Sequence, residues 1–149
     1  SQKYREFGIH CDFVQDNESL SHRLVLRGLH FQSPPFAQGK LIRVICGSIF
    51  DVAVDIRKNS PTFGRWHSAL LSDKNKHQFW IPEGFAHGFL SLEENTVINY
   101  KCNSNYNAAS ERTIVWNDPD LNILWPEKPL IVSSKDNAGE LFRNFVSPF

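Results

Sequence analysis

The sequence predicts an all-β domain, either a sandwich or a barrel. Short runs rich in β-branched and aromatic residues recur along the chain, and clusters of Gly, Pro, Asn and Ser separate them. Strands with turn signals about every 8–12 residues are typical of this fold class. At 149 residues, the chain has the length of one domain with its own hydrophobic core, so we expect residues 1–149 to fold as a single unit.

The predicted strands follow one another in order. Val25–Gln32 is apolar and ends at the breaker SPP. Lys40–Cys46 and 49–56 are rich in β-branched residues, and Gly47 and Ser48 between them predict a hairpin turn. Alternation in 49–56 places Asp51 on the face opposite Phe50. The further predicted strands are 65–71, Gln78–Ile81, 89–92 and Thr96–Cys102. Residues 82–88 predict a turn that carries His87, and 136–145 predict a short C-terminal helix.

Charge and cysteine content restrict the function class. Sixteen basic and sixteen acidic residues cancel, so no net positive field attracts nucleic acid or anionic lipid, and we expect neither as a partner. The three cysteines are widely spaced, which favours a reducing, cytoplasmic location over a disulfide framework. The sequence contains no apolar run of membrane-spanning length, and its first residues have neither the basic nor the apolar region expected of a signal peptide. Because the chain begins with Ser1 and contains no Met, we expect residues upstream in the native protein.

Three basic side chains lie close together in RGLHFQSPPFAQGK. Arg27, His30 and Lys40 have no carboxylate among them, and cations are costly to bury without an anionic partner. A bound anion would supply that partner, although a lone histidine in a strand is more often structural. Strict alternation places Arg27 and His30 on opposite faces, so the hypothesis requires a β-bulge, which Gly28 would permit.

A second histidine, His87, lies in WIPEGFAHGF. The spacing Pro-x-Gly-x-x-His resembles the second motif of cupins, jelly-roll barrels in which this histidine points inward and often binds metal. The segment around His30 lacks the His-x-His pair and the Glu of the metal-binding pattern. Two histidines make a poor metal site. We therefore predict a site without metal or other cofactor, in which the histidines act in acid–base chemistry or hydrogen bonding.

Tyr100 and Asp136 have simple structural interpretations. Tyr100 shares a strand face with Ile98 and Cys102, as an aromatic core residue would. Asp136 in SSKDNAG is placed as a helix N-cap would be.

Taken together, VQDN, LRGLHFQ, AQGKL, GSIFDVAVDIRKNSPTFGRW, WIPEGFAHGF, YKC and WNDPDLNILWP resemble the dTDP-4-dehydrorhamnose 3,5-epimerases. The resemblance runs from about residue 13 to about residue 139, in register and with few gaps. It implies a cupin-type jelly roll that inverts carbons 3 and 5 of dTDP-4-dehydro-6-deoxy-D-glucose to give dTDP-4-dehydro-L-rhamnose.

The resemblance also implies residue roles. The general base falls on His30 with Asp136 as its carboxylate partner, and the general acid falls on Tyr100. Lys40 and Arg27 match positions at the sugar and its keto oxygen. Positions that contact substrate in the family match Gln15, Asn17, His87 and Glu111. The family's upstream strand pair, with an acidic-Arg-Gly motif that reaches the neighbouring subunit's substrate, has no counterpart in this sequence, and nucleotide binding would be compromised if the native protein also lacked these N-terminal strands. Shared active sites and an exposed β-edge predict an isologous homodimer.

Three alternatives remain open at this stage. A mono-epimerase that inverts carbon 3 or carbon 5 alone could keep every catalytic residue. A sugar 3,4-ketoisomerase shares the barrel but not this set of motifs. A non-catalytic binder of nucleotide sugars would not need an acid and a base on opposite faces of the sugar.

Overall fold

The computed structural model describes residues 2–149 and contains two β-sheets packed face to face. Within those residues, a four-stranded sheet has the order β1-β8-β3-β6, and a larger sheet has the order β10-β2-β7-β4-β5 with β9 paired to β2. The strands are β1 Gln15–Ser21, β2 Val25–Gln32, β3 Lys40–Cys46, β4 Ser48–Asp55, β5 Trp66–Ser72, β6 Gln78–Ile81, β7 Phe85–Ser91, β8 Thr96–Cys102, β9 Glu111–Thr113 and β10 Ile131–Val132. The helices are α1 Gln2–Glu6 and α2 Ser134–Asn137, with 3₁₀ turns at Ala108–Ser110 and Phe142–Asn144. The predicted jelly-roll sandwich is confirmed.

One hydrophobic core lies between the two sheets. Alternate residues of each strand point inward, so Ile42 and Ile98 from the smaller sheet meet Ile49, Leu71 and Phe89 from the larger one. These side chains are almost fully buried. The interior is therefore filled with apolar side chains except at one end, where polar residues replace them.

The outer face of the larger sheet is also buried. Val52 and Val54 of β4 and Phe31 of β2 pack there against Ile114 and Phe145 of the C-terminal segment. Because both faces of β4 are covered, even its aspartates are hidden from solvent, and Asp51 is 0% exposed. A charge placed so deeply requires a partner.

The bulge required by the sequence hypothesis is present. Arg27 pairs with Phe89 and His30 pairs with His87, so two residues of β2 oppose one residue of β7. Gly28 occupies the irregular position at φ +132°, and a Cβ there would lie 2.5 Å from the Cα of Gly88. The extra residue turns Arg27 and His30 to the same face of the sheet, toward the interior.

Several boundaries differ from the sequence prediction. The turn predicted at 82–88 is wrong in part, because β7 begins at Phe85 and His87 lies within a strand. The helix predicted at 136–145 is also wrong in its position, since the helix ends at Asn137. Gly139 lies where a Cβ would be 2.6 Å from the backbone nitrogen of Val115, and Glu140 then bridges to Ile114. The chain after Asn137 thus packs closely against the backbone at Ile114 and Val115 and does not continue as a helix.

Two elements near the N-terminus, β1 and α1, were not predicted.

No helix within residues 2–149 has the length and hydropathy that crossing a membrane requires.

Candidate active site

A cavity of about 230 Å³ opens between the sheets at the polar end of the sandwich. Its lining includes six residues that the sequence analysis selected: Gln15, Asn17, His30, Lys40, Tyr100 and Glu111. The lining also includes residues that the analysis did not select: Phe31, Gln32, Gln38, Cys102 and Tyr106. Three selected residues, Arg27, His87 and Asp136, lie outside the lining, although each contacts or adjoins a strand that forms it.

His30 and Asp136 form a short hydrogen bond. Nε2 of His30 lies 2.6 Å from Oδ1 of Asp136, whose residue is 3% exposed. The other carboxylate oxygen accepts the backbone N–H of Gly28 at 3.2 Å, so the bulge also helps to hold the carboxylate. Burial alone would raise the pKa of Asp136, but the hydrogen bond from His30 and the backbone N–H of Gly28 outweigh it and lower that pKa.

Asp136 is not the cap of its helix. Oγ of Ser133 accepts the backbone N–H of Asp136 at 3.1 Å, which makes Ser133 the N-cap of α2. The N-cap interpretation of Asp136 is therefore wrong. Because Ser133 satisfies the helix terminus, the carboxylate of Asp136 is left to bind His30.

Tyr100 and Lys40 belong to the sheet opposite His30. Both line the cavity, Tyr100 from β8 and Lys40 from β3. Burial raises the pKa of Tyr100, with the nearby Cys102 acting in the same direction, so the phenol keeps its proton. The cavity thus places an imidazole on one wall and a protonated phenol on the facing wall.

Lys40 brings an amine to the otherwise uncharged or acidic polar side chains around it in the cavity. Burial lowers its pKa, and Cys102, its cross-strand neighbour, acts against that shift. Within residues 2–149, its ammonium group makes no salt bridge with a carboxylate. An anion in the cavity would satisfy it.

His87 adjoins His30 but is buried behind the lining. The two histidines are cross-strand partners, and Nε2 of His87 lies 2.6 Å from Oδ1 of Asp51. The second oxygen of Asp51 has no hydrogen-bond partner among the described residues. The structure therefore contains two His–Asp pairs side by side, one open to the cavity and one enclosed.

Arg27 lies on the same sheet face as His30, but it is exposed and lies outside the cavity lining. Its guanidinium donates to Oγ of Ser21 at 3.3 Å and to the carbonyl of Leu20 at 3.3 Å, both on the edge strand β1. It acts on the cavity through its charge, which opposes the rise in the pKa of Tyr100.

Polar side chains from three separate segments form the remaining rim. Gln15 donates to Asn17 at 2.7 Å and accepts the backbone N–H of Tyr106 at 2.8 Å. The hydroxyl of Tyr106 donates to Glu111 at 2.9 Å, and Lys135 donates to the same carboxylate oxygen. Neither Lys135 nor Tyr106 was predicted from the sequence, although the position of Lys135 directly before Asp136 was an available signal.

The described residues offer no evident metal centre. Within residues 2–149, no three His, Cys, Asp or Glu side chains are grouped so that they could hold a metal ion. His30 in the cavity lining and His87 buried behind it each already place Nε2 against a carboxylate. The independence of activity from metal stays a prediction that requires a measurement.

Comparisons with known proteins agree with the geometry. A family model described as dTDP-4-dehydrorhamnose 3,5-epimerase matches residues 1–144. The protein of that name from Shigella flexneri is 53% identical over 135 residues, which cover 91% of this chain and 75% of the relative. A solved epimerase from Legionella pneumophila, in complex with dTDP-4-keto-L-rhamnose, matches with a TM-score of 0.93 and 49% identity over 98% of this chain and 78% of that one.

A more distant match bears on the alternatives. A 3′-monoepimerase from Streptomyces bikiniensis, solved with dTDP-quinovose, is 34% identical with a TM-score of 0.86, covering 94% of this chain and 72% of that one. The same fold therefore hosts both double and single epimerisation.

Proposed function

The chain belongs to the dTDP-4-dehydrorhamnose 3,5-epimerase family, and we propose a division of labour among its cavity residues for that reaction. The activity is inversion of carbons 3 and 5 of dTDP-4-dehydro-6-deoxy-D-glucose, which gives dTDP-4-dehydro-L-rhamnose. Both carbons flank the ketone at carbon 4, so the ketone acidifies the proton on each. Removal of either proton leaves an enolate, whose negative charge the site must stabilise.

His30 takes the proton, and Asp136 orients its imidazole. The 2.6 Å contact between Nε2 of His30 and Asp136 supports this assignment, because a carboxylate on one ring nitrogen fixes the tautomer and stabilises the imidazolium that forms. His30 also lines the cavity, so its other nitrogen can face a substrate.

Lys40 stabilises the enolate oxygen. It lines the cavity without a carboxylate partner among the described residues, and preorganised charge at a developing oxyanion is usually the largest catalytic contribution. Arg27 adds positive charge from an exposed position outside the lining. Gln15, Asn17 and Glu111 contact substrate from the rim, and His87 supports the wall from its buried position.

Tyr100 returns a proton on the opposite side of the sugar. The observation that carries the proposal is the position of Tyr100 and His30 on facing walls, because inversion requires removal from one face and delivery to the other. The raised pKa of Tyr100 keeps its hydroxyl protonated and ready to donate.

Solvent exchange in heavy water tests these roles. In the wild type, we expect deuterium at carbons 3 and 5 with inversion at both, read by NMR. His30→Asn removes the base and should abolish exchange at both carbons. Tyr100→Phe removes only the donor, so exchange on the original face should persist while inversion falls by about 10²–10⁴-fold.

The same measurement separates the alternatives. Inversion at one carbon alone would indicate a mono-epimerase, which the similarity to the 3′-monoepimerase favours as second candidate. Absence of exchange in the wild type would leave a binder of nucleotide sugars and contradict the assignment. Transfer of the keto group between carbons 4 and 3 would indicate a ketoisomerase.

We further propose that the chain works as a cytoplasmic homodimer, without nucleic acid or membrane partners. Three free cysteines support a reducing location. β1 is an edge strand of the four-stranded sheet, with Leu20 on it 57% exposed, and an exposed edge can pair with another subunit. Light scattering at micromolar concentration should give twice the monomer mass, and a monomer would contradict the proposal.

A further inference from the structure

Glu111 brings a second carboxylate to the wall that carries His30. It lies on β9, its side chain lines the cavity, and one of its oxygens accepts hydrogen bonds from Tyr106 and Lys135. Lys135 is on α2, directly before the carboxylate that holds His30. The side chain of Glu111 is 17% exposed, whereas that of Lys135 is 56% exposed, so the lysine covers the carboxylate from the solvent side.

The register of β2 and β9 fixes the position of Glu111 relative to His30. His30 pairs with Thr113 and Gln32 pairs with Glu111, so Glu111 is the diagonal neighbour of His30 on the same face. Diagonal neighbours are about 7–8 Å apart. His30 is therefore flanked by two carboxylates, Asp136 in direct contact and Glu111 along the wall.

Two anions beside an imidazole favour its protonated form, and a protonated imidazole cannot accept a proton from the sugar. A base at this position therefore needs one of the two negative charges to be compensated. The direct partner Asp136 must keep its charge to orient the ring, which leaves Glu111 as the charge to be offset.

Other ionisable groups face His30 from the surrounding elements. They are Lys40 on β3, Tyr100 on β8, Arg27 before the bulge on β2, and His87 on β7 with Asp51 of β4 behind it. Among the described residues, Lys40 and Arg27 make no salt bridge with Glu111, and the proposed reaction needs their charge at the keto oxygen. Lys135 is the cation that binds Glu111 directly.

We propose that Lys135 is a positioning residue for the base: its ion pair with Glu111 lets a substrate-facing carboxylate stand beside His30 without holding the imidazole in its protonated form. The inference rests on the assignment of His30 as base under the proposed function. It adds a role for a residue that neither contacts His30 nor lines the cavity.

The ionisation of the pair agrees with this role. Burial would raise the pKa of Glu111, but the hydrogen bonds from Lys135 and Tyr106 outweigh it and lower that pKa. The hydrogen bond to Glu111 in turn raises the pKa of Lys135. Both partners are thus charged at neutral pH, and removal of Lys135 would leave the charge of Glu111 uncompensated.

The test is the pH profile of kcat/KM, measured by turnover in the full chain. In Lys135→Met, we expect the acid limb to move about one unit toward higher pH, so that activity on that limb falls about 10-fold. Lys135→Arg keeps the charge and should keep the limb in place. The double variant Lys135→Met with Glu111→Gln removes both charges and should return the limb to its wild-type position.

Tyr106→Phe is the matched control. It removes a neutral donor from the same oxygen of Glu111 but no charge, so its acid limb should stay within a few tenths of a unit of the wild type. Thermal unfolding of each variant verifies that the fold is kept.

An unmoved limb in Lys135→Met would overturn the inference. So would a uniform loss at every pH that Glu111→Gln does not reverse, because that pattern indicates direct contact between Lys135 and substrate. These results leave the proposed function intact, whereas persistent solvent exchange in His30→Asn would refute the base assignment itself.

Discussion

The two His–Asp pairs of this protein have the same geometry and different surroundings. In each pair, Nε2 of a histidine lies 2.6 Å from a carboxylate oxygen, and the two histidines are cross-strand neighbours. The side chains of His30 and Asp136 are 27% and 4% exposed, whereas those of His87 and Asp51 are 9% and 0% exposed. One pair opens to the cavity and the other is enclosed in the protein.

The difference shows that a hydrogen-bonded pair does not by itself define a catalytic group. A base must reach the proton that it removes, and His30 meets this requirement through the cavity. The enclosed pair instead satisfies a charge that β4, covered on both faces, would otherwise bury alone. We therefore assign chemistry to the first pair and support of the wall to the second.

The largest expected effect is a loss of activity when the carboxylate of the open pair, but not that of the enclosed pair, is removed. Asp136→Asn removes the carboxylate that orients the base, so kcat/KM should fall by about 10²–10⁴-fold. The same substitution in the enclosed pair, Asp51→Asn, should lower kcat/KM by less than about 10-fold, since no proton of the substrate reaches His87. Steady-state turnover of both variants measures this, and an equal loss in the two would mean that His87 also transfers protons.

The effect of substitution on stability should be larger for the enclosed pair than for the open pair, which is the reverse of the order expected for activity. His87→Asn leaves the fully buried Asp51 without its partner, and leaving a buried carboxylate uncompensated costs about 3–5 kcal/mol in the free energy of unfolding. His30→Asn leaves Asp136 with the N–H of Gly28 and access to the cavity, so about 1–2 kcal/mol is expected. Urea unfolding of the two variants should rank them in this order, and the reverse ranking would contradict the assignment of His87 as the structural member.

The pH dependence of stability sharpens the description of the open pair. The pKa of Asp136 is lowered in the folded state, so its ionised form adds stability above the ordinary carboxyl pKa of about 4. That contribution is lost as the pH falls through the lower folded pKa. The stability difference between wild type and Asp136→Asn should thus shrink as the pH falls below about 4. Urea unfolding across this range measures it, and a difference that grows on acidification would show that the sign is wrong.

The smallest expected effect is none. Extensive EDTA treatment and dialysis should leave activity unchanged, because both histidines already bind carboxylates and the proposed mechanism uses acid–base groups alone. Loss of activity that one divalent ion restores would replace the two-pair description with a metal site.

Four of the predicted strands have the observed bounds, whereas the β-branched run 49–56 was predicted one residue late, since β4 is Ser48–Asp55. Val25–Gln32, Lys40–Cys46, Gln78–Ile81 and Thr96–Cys102 match the structure at both ends. β1 was not predictable in this way, because QDNESLS is polar apart from Leu20 and lies at a sheet edge, where little of it is buried. Strand propensity reflects how well side chains pack on a half-buried sheet, so the sequence signal of a strand is weak where few of its side chains are buried.

The residues of the site likewise fall into those that the sequence predicts and those that it does not. His30, Lys40 and Tyr100 lie in recognisable motifs on strands, and the structure brings all three to one cavity. Tyr106 and Lys135 reach the rim from a loop and a four-residue helix through long-range contacts with Glu111, which spacing along the chain does not encode. For the same reason, the sequence placed a helix at 136–145, whereas Phe142 and Phe145 follow the aromatic packing of the outer sheet face.

The bulge at Gly28 sets the parity of β2. Before it, odd-numbered residues such as Arg27 face the interior, and after it even-numbered residues such as His30 and Gln32 do so. One inserted residue therefore decides, for every later side chain of the strand, whether it points into the cavity, as His30 does, or into the core on the outer sheet face, as Phe31 does. A cavity built this way can acquire or lose its base by a change of a single residue in strand length, while the hydrogen-bonded sheet around it stays the same.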